Sequence, residues 1–233
     1  MVLGSGNTEM KRSALPPPRW ITFDCYGTLI DWGGGVRKAF RELARANAEE
    51  AEELSSIWEK LQWEMIQQPY STYAQIMNSS FREALDEFGI SCAPHTADAF
   101  VESLARWEPF PDVNPALSML SRRYKLAIIS NIDRDLLGRT LRHFPIRFDA
   151  LITAEDAGFY KPRPEIFRYA LGKLMSAPVE IAHVSFSPEY DLVPASGLGF
   201  RLIYLNRDQL PAPEVQLEAE IRQAGELIDL WEK

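Results

Sequence analysis

The sequence predicts a doubly wound α/β parallel sheet with an inserted helical cap. Three observations carry this reading. Residues 19–30 are apolar, β-branched and aromatic, and the run breaks at a single carboxylate, Asp24, with a Gly27-Thr28 turn just beyond. Residues 36–107 are rich in Ala, Glu, Leu, Arg and Gln, with apolar positions at helical spacing. After Asp112, buried-type strands alternate with amphipathic helices.

Each element follows from its local pattern. The first run is the kind of strand that a parallel sheet buries on both faces. Trp32-Gly33-Gly34-Gly35 then reads as a flexible connection, or as backbone lying close to a ligand. Within the insert, Leu43, Ala46, Ala51, Leu54, Trp58, Leu61 and Met65 recur at three- and four-residue steps. Gln68-Pro69-Tyr70 interrupts this pattern, Phe88-Gly89-Ile90 ends a helix, and Pro109 and Pro111 mark the return to the core. Helices are expected over 115–123, 134–144 and 164–174, the last begun by prolines. Strands are expected over 124–131, 149–153, 181–185 and 201–205. The expected organisation is a disordered lead-in (1–14), an α/β core (15–35 and 108–233) and a helical cap (36–107). Right-handed crossovers would gather the strand C-termini on one edge.

Composition narrows the function. The chain has 233 residues, 46% apolar and 25% charged, which is ordinary for a globular protein. A net charge of −8 with no basic tract argues against nucleic acid as a partner. No apolar run reaches the roughly 20 residues of a membrane helix, and the N-terminal residues lack a signal-type apolar stretch. Cys25 and Cys92 are isolated, without metal-ligand spacing, and read as reduced thiols of a cytoplasmic protein.

Four positions carry candidate chemistry. Asp24 stands at a strand's C-terminal end, where open α/β sheets bind ligands, and a carboxylate there can act as a nucleophile or simply cap a turn. Ser130 and Asn131 end a second strand and can bind an anion with the amides that follow, or cap the next helix. Lys161 sits in the proline-stiffened loop Lys161-Pro162-Arg163-Pro164, placed to neutralise a carboxylate or to be solvated. Ser185-Phe186-Ser187-Pro188-Glu189-Tyr190-Asp191 follows a strand and supplies two hydroxyls and a carboxylate, or an ordinary turn. Cys25 lies beside Asp24, but strand alternation points it into the core.

Together these fragments resemble the four motifs of the haloacid dehalogenase superfamily, in order and spacing, from residue 19 onward. Phosphatases of that superfamily carry Asp-x-Asp-Gly-Thr, where the second Asp protonates the leaving group. Here that position is Tyr26, which resembles the 2-haloacid dehalogenase branch; a halide leaves without a proton donor. Pro69-Tyr70-Ser71-Thr72-Tyr73 is also similar to that branch. The resemblance implies that Asp24 displaces the 2-substituent of a small carboxylic acid and forms an ester. Water then hydrolyses the ester at the Asp24 carbonyl. Lys161, Thr28 and Ser185 would hold Asp24, Asp191 would orient or activate water, and Ser130 and Asn131 would grip the substrate carboxylate. Cys25, Tyr26 and Ser187 join them as candidate substrate contacts from the core, and Trp58, Glu59 and Tyr70 from the cap. A homodimer is compatible with the resemblance.

The sequence also departs from the pattern. The magnesium-holding Asp of the phosphatases aligns with Phe186, so no metal or other cofactor is expected. The halide-cradling arginine of the dehalogenases, which follows a tryptophan, aligns with Glu59 after Trp58; Arg41 or Arg45 would have to replace it. A tyrosine six residues past the lysine is Phe167, and an asparagine of the fourth motif is Ser187, with one extra residue before Asp191. An (S)-2-haloacid dehalogenase is the leading expectation. A ring-opening hydrolase of the azetidine-2-carboxylate type, with Glu59 receiving the departing amine, is an alternative. So are a magnesium-dependent small-molecule phosphatase and a catalytically degenerate interaction module.

Overall fold

The computed structural model describes residues 13–232. Most of the expected lead-in, 1–12, lies outside the described residues. Ser13 is already tied to the C-terminal region, its N–H donating to the Leu230 carbonyl (2.9 Å) and its hydroxyl to Glu218 (2.5 Å).

Six parallel strands form one sheet in the order β3-β2-β1-β4-β5-β6. They are β1 (Trp20–Phe23), β2 (Lys125–Ser130), β3 (Ala150–Thr153), β4 (Ile181–Ser185), β5 (Arg201–Leu205) and β6 (Ala219–Ile221). β1 is buried throughout because it lies between β2 and β4, with Phe23 opposite both Ile128 and Val184. The strand order reverses between β1 and β4, so their C-terminal ends form the crevice where such sheets bind ligands. The expected first strand, 19–30, is therefore only four residues long. Its remainder turns over the sheet edge, with Leu29 N and Ile30 N both donating to the Cys25 carbonyl. β6 carries one buried residue in three, too short a pattern to be seen in the sequence.

Between β1 and β2 the chain forms α1 (Trp32–Leu43), α2 (Ala48–Ile66), α3 (Tyr73–Glu87) and α4 (Pro94–Ser103). Their starts are written in the sequence: Asn47 with Glu50 and Thr72 with Gln75 form capping boxes, and Pro94 opens α4. Phe40, Phe81 and Phe100 stack at centroid distances of 4.3–5.5 Å, giving this insert its own aromatic core. The glycine run is not a flexible connection. Asp31 caps α1 by accepting from Gly34 N (2.9 Å), and Trp32–Gly35 forms the first turn. Glycine is needed there for closeness: a Cβ on Gly35 would lie 2.4 Å from Trp107 Cγ. The entering and leaving chains pair beside it, Asp31 N to Glu108 O and Phe110 N to Leu29 O.

After the insert come α5 (Val113–Leu120), α6 (Arg134–Thr140), α7 (Ala154–Ala157), α8 (Pro164–Leu174) and α9 (Val193–Ser196). The helix expected over 134–144 tightens after Thr140 into a 3-10 turn, residues 141–143. Residues 188–192 form a π-type turn, the local widening that one inserted residue produces in a helix.

Candidate active site

Four segments converge at the strand C-termini. Asp24 follows β1, Ser130 ends β2, Lys161 follows α7, Ser185 ends β4 and Asp191 follows it. Lys161 is 1% exposed, yet its three protons are all used. Nζ donates to Asp24 Oδ1 (2.8 Å), to Asp191 Oδ1 and Oδ2 (2.8 and 3.1 Å) and to the Ile129 carbonyl (3.1 Å). A buried ammonium is tolerable only when so paired. Burial alone would lower its proton affinity, but the charges of Asp191 and Asp24 more than offset this and hold the pKa above its ordinary value.

The two carboxylates differ. Asp191 receives Lys161, Ser185 Oγ on Oδ2 (2.9 Å) and His183 Nε2 on Oδ1 (2.8 Å). Burial pushes its pKa up, but Lys161 and His183 more than reverse this, so it lies below the ordinary value. Asp24 receives only Lys161 and Thr28 Oγ1, the latter on Oδ2 (2.8 Å). Its burial outweighs the attraction of Lys161, and the Asp191 charge adds to the rise, so its pKa is raised. Asp24 is thus the carboxylate with lone pairs to spare, the property a nucleophile needs.

The surrounding loops are set by small hydrogen bonds. Thr28 Oγ1 also accepts from Phe186 N (3.1 Å), and Ser185 Oγ accepts from Ser187 N (3.0 Å). Gly27 has φ +94°, and a Cβ there would lie 2.3 Å from the Phe186 ring, so glycine is required twice over.

A cavity of about 70 Å³ reaches Asp24, Lys161 and Asp191. The insert contributes Trp32, Gln62, Ile66 and Tyr73 to its wall. The core adds Tyr26, Ser130, Asn131, Phe186, Ser187 and Tyr190. Tyr73 donates its hydroxyl to Gln62 Oε1. The wall that the insert presents to the carboxylates is uncharged, with Trp32 and Ile66 beside Gln62 and Tyr73, and among the described lining residues Lys161 is the one cation.

A magnesium site does not fit these residues. Asp24 and Asp191 already share Lys161, Tyr26 is bonded through its hydroxyl to Thr140 (2.8 Å), and Phe186 supplies no oxygen. Among the described residues no group of three His, Cys, Asp or Glu could hold a metal ion.

The model of the haloacid dehalogenase-like hydrolases matches residues 18–195. The chain belongs to this family. It is similar to (S)-2-haloacid dehalogenase 4A of Burkholderia cepacia, with 28% identity over 221 residues, 91% of this chain and 93% of that one. A phosphoserine phosphatase of Thermus thermophilus is 31% identical over 156 residues, 63% of this chain and 61% of the phosphatase. A dehalogenase crystal structure superposes with a TM-score of 0.83 at 28% identity, covering 93% of this chain and 98% of the other.

Within this hydrolase the sequence-derived candidates separate into groups. Asp24, Lys161, Asp191, Thr28 and Ser185 form one bonded cluster, and Tyr26, Ser130, Asn131 and Ser187 line the cavity. Asn131 spends its side chain on Lys161, its Nδ2 donating to Lys161 O (2.9 Å) and its Oδ1 accepting from Lys161 N (2.7 Å). It clasps the lysine loop, which leaves one N–H for a ligand.

Cys25 is fully buried, away from the cavity, and burial raises its pKa well above the ordinary thiol value. Trp58 is buried inside the insert between Trp32 and Phe100 rather than on the wall. Glu59, one residue further along α2, is exposed and outside the lining; the helical phase gives the wall to Gln62 and Ile66 instead. Tyr70 is 39% exposed and stacks on Tyr160 at 5.4 Å, joining insert to core. Neither Arg41 nor Arg45 lines the cavity.

Sequence reasoning missed His183, Gln62, Tyr73 and Tyr190. His183 looked like one more residue of a buried strand. Gln62 could have been found from its four-residue spacing to Trp58 and Ile66.

Proposed function

We propose that this hydrolase displaces the 2-substituent of a short carboxylic acid, an (S)-2-haloacid above all, through an ester on Asp24. The observation that carries the reading is the Asp24–Lys161–Asp191 cluster at the foot of a small cavity with Tyr26, not a carboxylate, beside it. An Asp24 oxygen attacks C2 from the side opposite the halogen, the carbon–halogen bond breaks, and halide leaves with both bonding electrons. Configuration at C2 inverts. Water then adds to the Asp24 carbonyl carbon. One of its protons passes to the departing oxygen to give the 2-hydroxy acid, which leaves with the oxygen that had attacked it. The other proton is released to solvent as Asp24 returns to its ionised form. Lys161 holds Asp24 in place and stabilises charge on its carboxyl during both steps. The walls of Trp32, Ile66 and Phe186 exclude bulk water that would otherwise solvate the nucleophile. A cavity of about 70 Å³ favours short acids. The two free cysteines suit a reducing, cytoplasmic setting.

One observation favours a second reading, carbon–nitrogen cleavage in a strained cyclic imino acid. Among the described lining residues Lys161 is the only cation and is fully engaged, while Gln62, Tyr73 and Tyr190 are neutral. An amine leaving group needs no cation. Glu59 plays no part in this reading, since it lies outside the lining.

The test is a product screen with short 2-haloacids of both configurations, fluoroacetate, azetidine-2-carboxylate and small phosphoesters with magnesium. Wild type is compared with Asp24→Asn. Halide and (R)-2-hydroxy acid from an (S)-2-haloacid, absent in the variant, support the reading. Magnesium-dependent phosphate release alone would overturn it.

A further inference from the structure

His183 is a buried, titratable side chain that the reaction above does not use. It sits on β4 at 0% exposure, directly beneath the active cluster. Its Nε2 lies 2.8 Å from Asp191 Oδ1, and its Nδ1 lies 2.9 Å from Thr22 Oγ1 on β1. Phe167 from α8 and Phe200 ahead of β5 meet its ring edge-on at 5.6 and 6.2 Å. Of these neighbours only Asp191 is ionisable, and Lys161 reaches the imidazole through it. An aliphatic or phenyl side chain would fill this slot without the cost of a polar ring.

We propose that His183 is a positioning residue: its Nε2–H fixes the Asp191 carboxylate, and through it holds the Lys161 ammonium where Asp24 can use it. An ionised Asp191 only accepts, so Nε2 carries a proton, while Nδ1 shares its bond with the Thr22 hydroxyl. Thr22 thereby fixes the orientation of the ring. With His183 in place, Asp191 Oδ1 accepts from Lys161 and His183 while Oδ2 accepts from Lys161 and Ser185. All four acceptor positions of the carboxylate are filled. It cannot turn, and it cannot draw Lys161 further from Asp24. Removing His183 frees one position on Oδ1, lets the carboxylate rotate toward Lys161, and weakens the hold on the nucleophile.

The inference rests on the ester-forming reading for its kinetics, so the experiment carries a readout that needs no turnover. His183→Phe keeps a ring between Phe167 and Phe200; His183→Gln keeps an N–H near Nε2; Thr22→Val leaves His183 but removes its partner. Each is assayed with an (S)-2-haloacid, and carboxyl-labelled protein is titrated by NMR to follow Asp191. In His183→Phe, kcat is expected to fall by about tenfold or more with KM little changed, and Asp191 to titrate at higher pH. His183→Gln restores most of both, and Thr22→Val shows a smaller change in the same direction. Unchanged kcat and unchanged Asp191 titration in His183→Phe, or in Thr22→Val should the former not fold, would overturn the proposal. So would failure of His183→Gln to restore either quantity. If wild type turns over no 2-haloacid but Asp191 still titrates higher in His183→Phe, the positioning role stands and the substrate reading falls.

Discussion

Lys161 Nζ stands 2.8 Å from Asp24 Oδ1, and it stands equally close to Asp191. One buried cation thus serves two buried carboxylates, leaving a net negative charge when both are ionised. Asp191 has the larger share of donors, so the imbalance falls on Asp24. In the proposed reaction the poorly satisfied group is the nucleophile, which would trade stability for chemistry as is common at functional sites.

That imbalance separates two variants. Asp24→Asn leaves Lys161 and Asp191 as a one-to-one pair, so we expect a melting temperature no lower than wild type, with turnover abolished. Lys161→Met leaves two carboxylates facing each other without a cation, and should cost about 3–5 kcal/mol in denaturant unfolding at neutral pH. Equal stability of Lys161→Met and wild type would contradict the account.

The raised pKa of Asp24 fixes the sign of the pH dependence. Attack requires the ionised form, so kcat/KM should fall as pH drops through a value above the ordinary carboxylate range. The stability effect runs the other way. A carboxyl whose folded pKa exceeds its unfolded one contributes stability at low pH, and this is lost as pH rises through the folded value. The advantage of Asp24→Asn should therefore grow with pH and vanish in acid. A pH profile whose acid limb lies at or below the ordinary range would refute this.

A second carboxylate joins the insert to the core. Asp133, ahead of α6, accepts from Tyr73 N and Ala74 N, each at 2.8 Å, and so caps α3 from across the molecule. Burial holds its pKa up, and the two backbone bonds offset this only in part. Asp133→Ala should cost about 1–2 kcal/mol, in the range of a lost helix cap. It should also raise amide exchange at the start of α3. In wild type, because the folded pKa of Asp133 is raised, protection at the start of α3 should hold or rise as pH falls through that value. Unchanged exchange in Asp133→Ala would show that other contacts hold the insert.

Much of this architecture was legible in the sequence, and the rest was hidden for identifiable reasons. The core strands are local signals, so β2, β4 and β5 could be read directly, whereas α2 and α3 were read only as parts of one helical insert, without their starts, although their capping boxes are local signals too. The cluster was legible because Asp24 and Asp191 follow strands of one parallel sheet, Ser130 ends another and Lys161 lies in the loop beyond β3 and α7, and that topology gathers them at one edge. The wall of the cavity was not, because it depends on helical phase: Glu59 points to solvent and Gln62 to the cavity. Tyr70 and Asp133 act across the boundary between insert and core, which no local pattern encodes. Of the two roles expected for the glycines, flexibility was wrong and close approach is found at Gly35, to the Trp107 ring, since both call for the same residue.

Gly35 tests that last point. With Trp107 Cγ 2.4 Å from a built Cβ, Gly35→Ala must displace the indole or the helix start. We expect a loss of about 1–3 kcal/mol, as for other overpacked sites, although alanine favours helix. Stabilisation by Gly35→Ala would mean that the glycine serves mobility after all.

The central claim is that Asp24 becomes an ester and that water attacks its carboxyl. Single-turnover hydrolysis of an (S)-2-haloacid in heavy-oxygen water, with enzyme in excess, tests this most directly. The account expects mass spectrometry to find one heavy oxygen in the peptide containing Asp24 and unlabelled 2-hydroxy acid in solution. Heavy oxygen in the product with none in that peptide would mean that water attacks the substrate carbon itself, and would contradict the account.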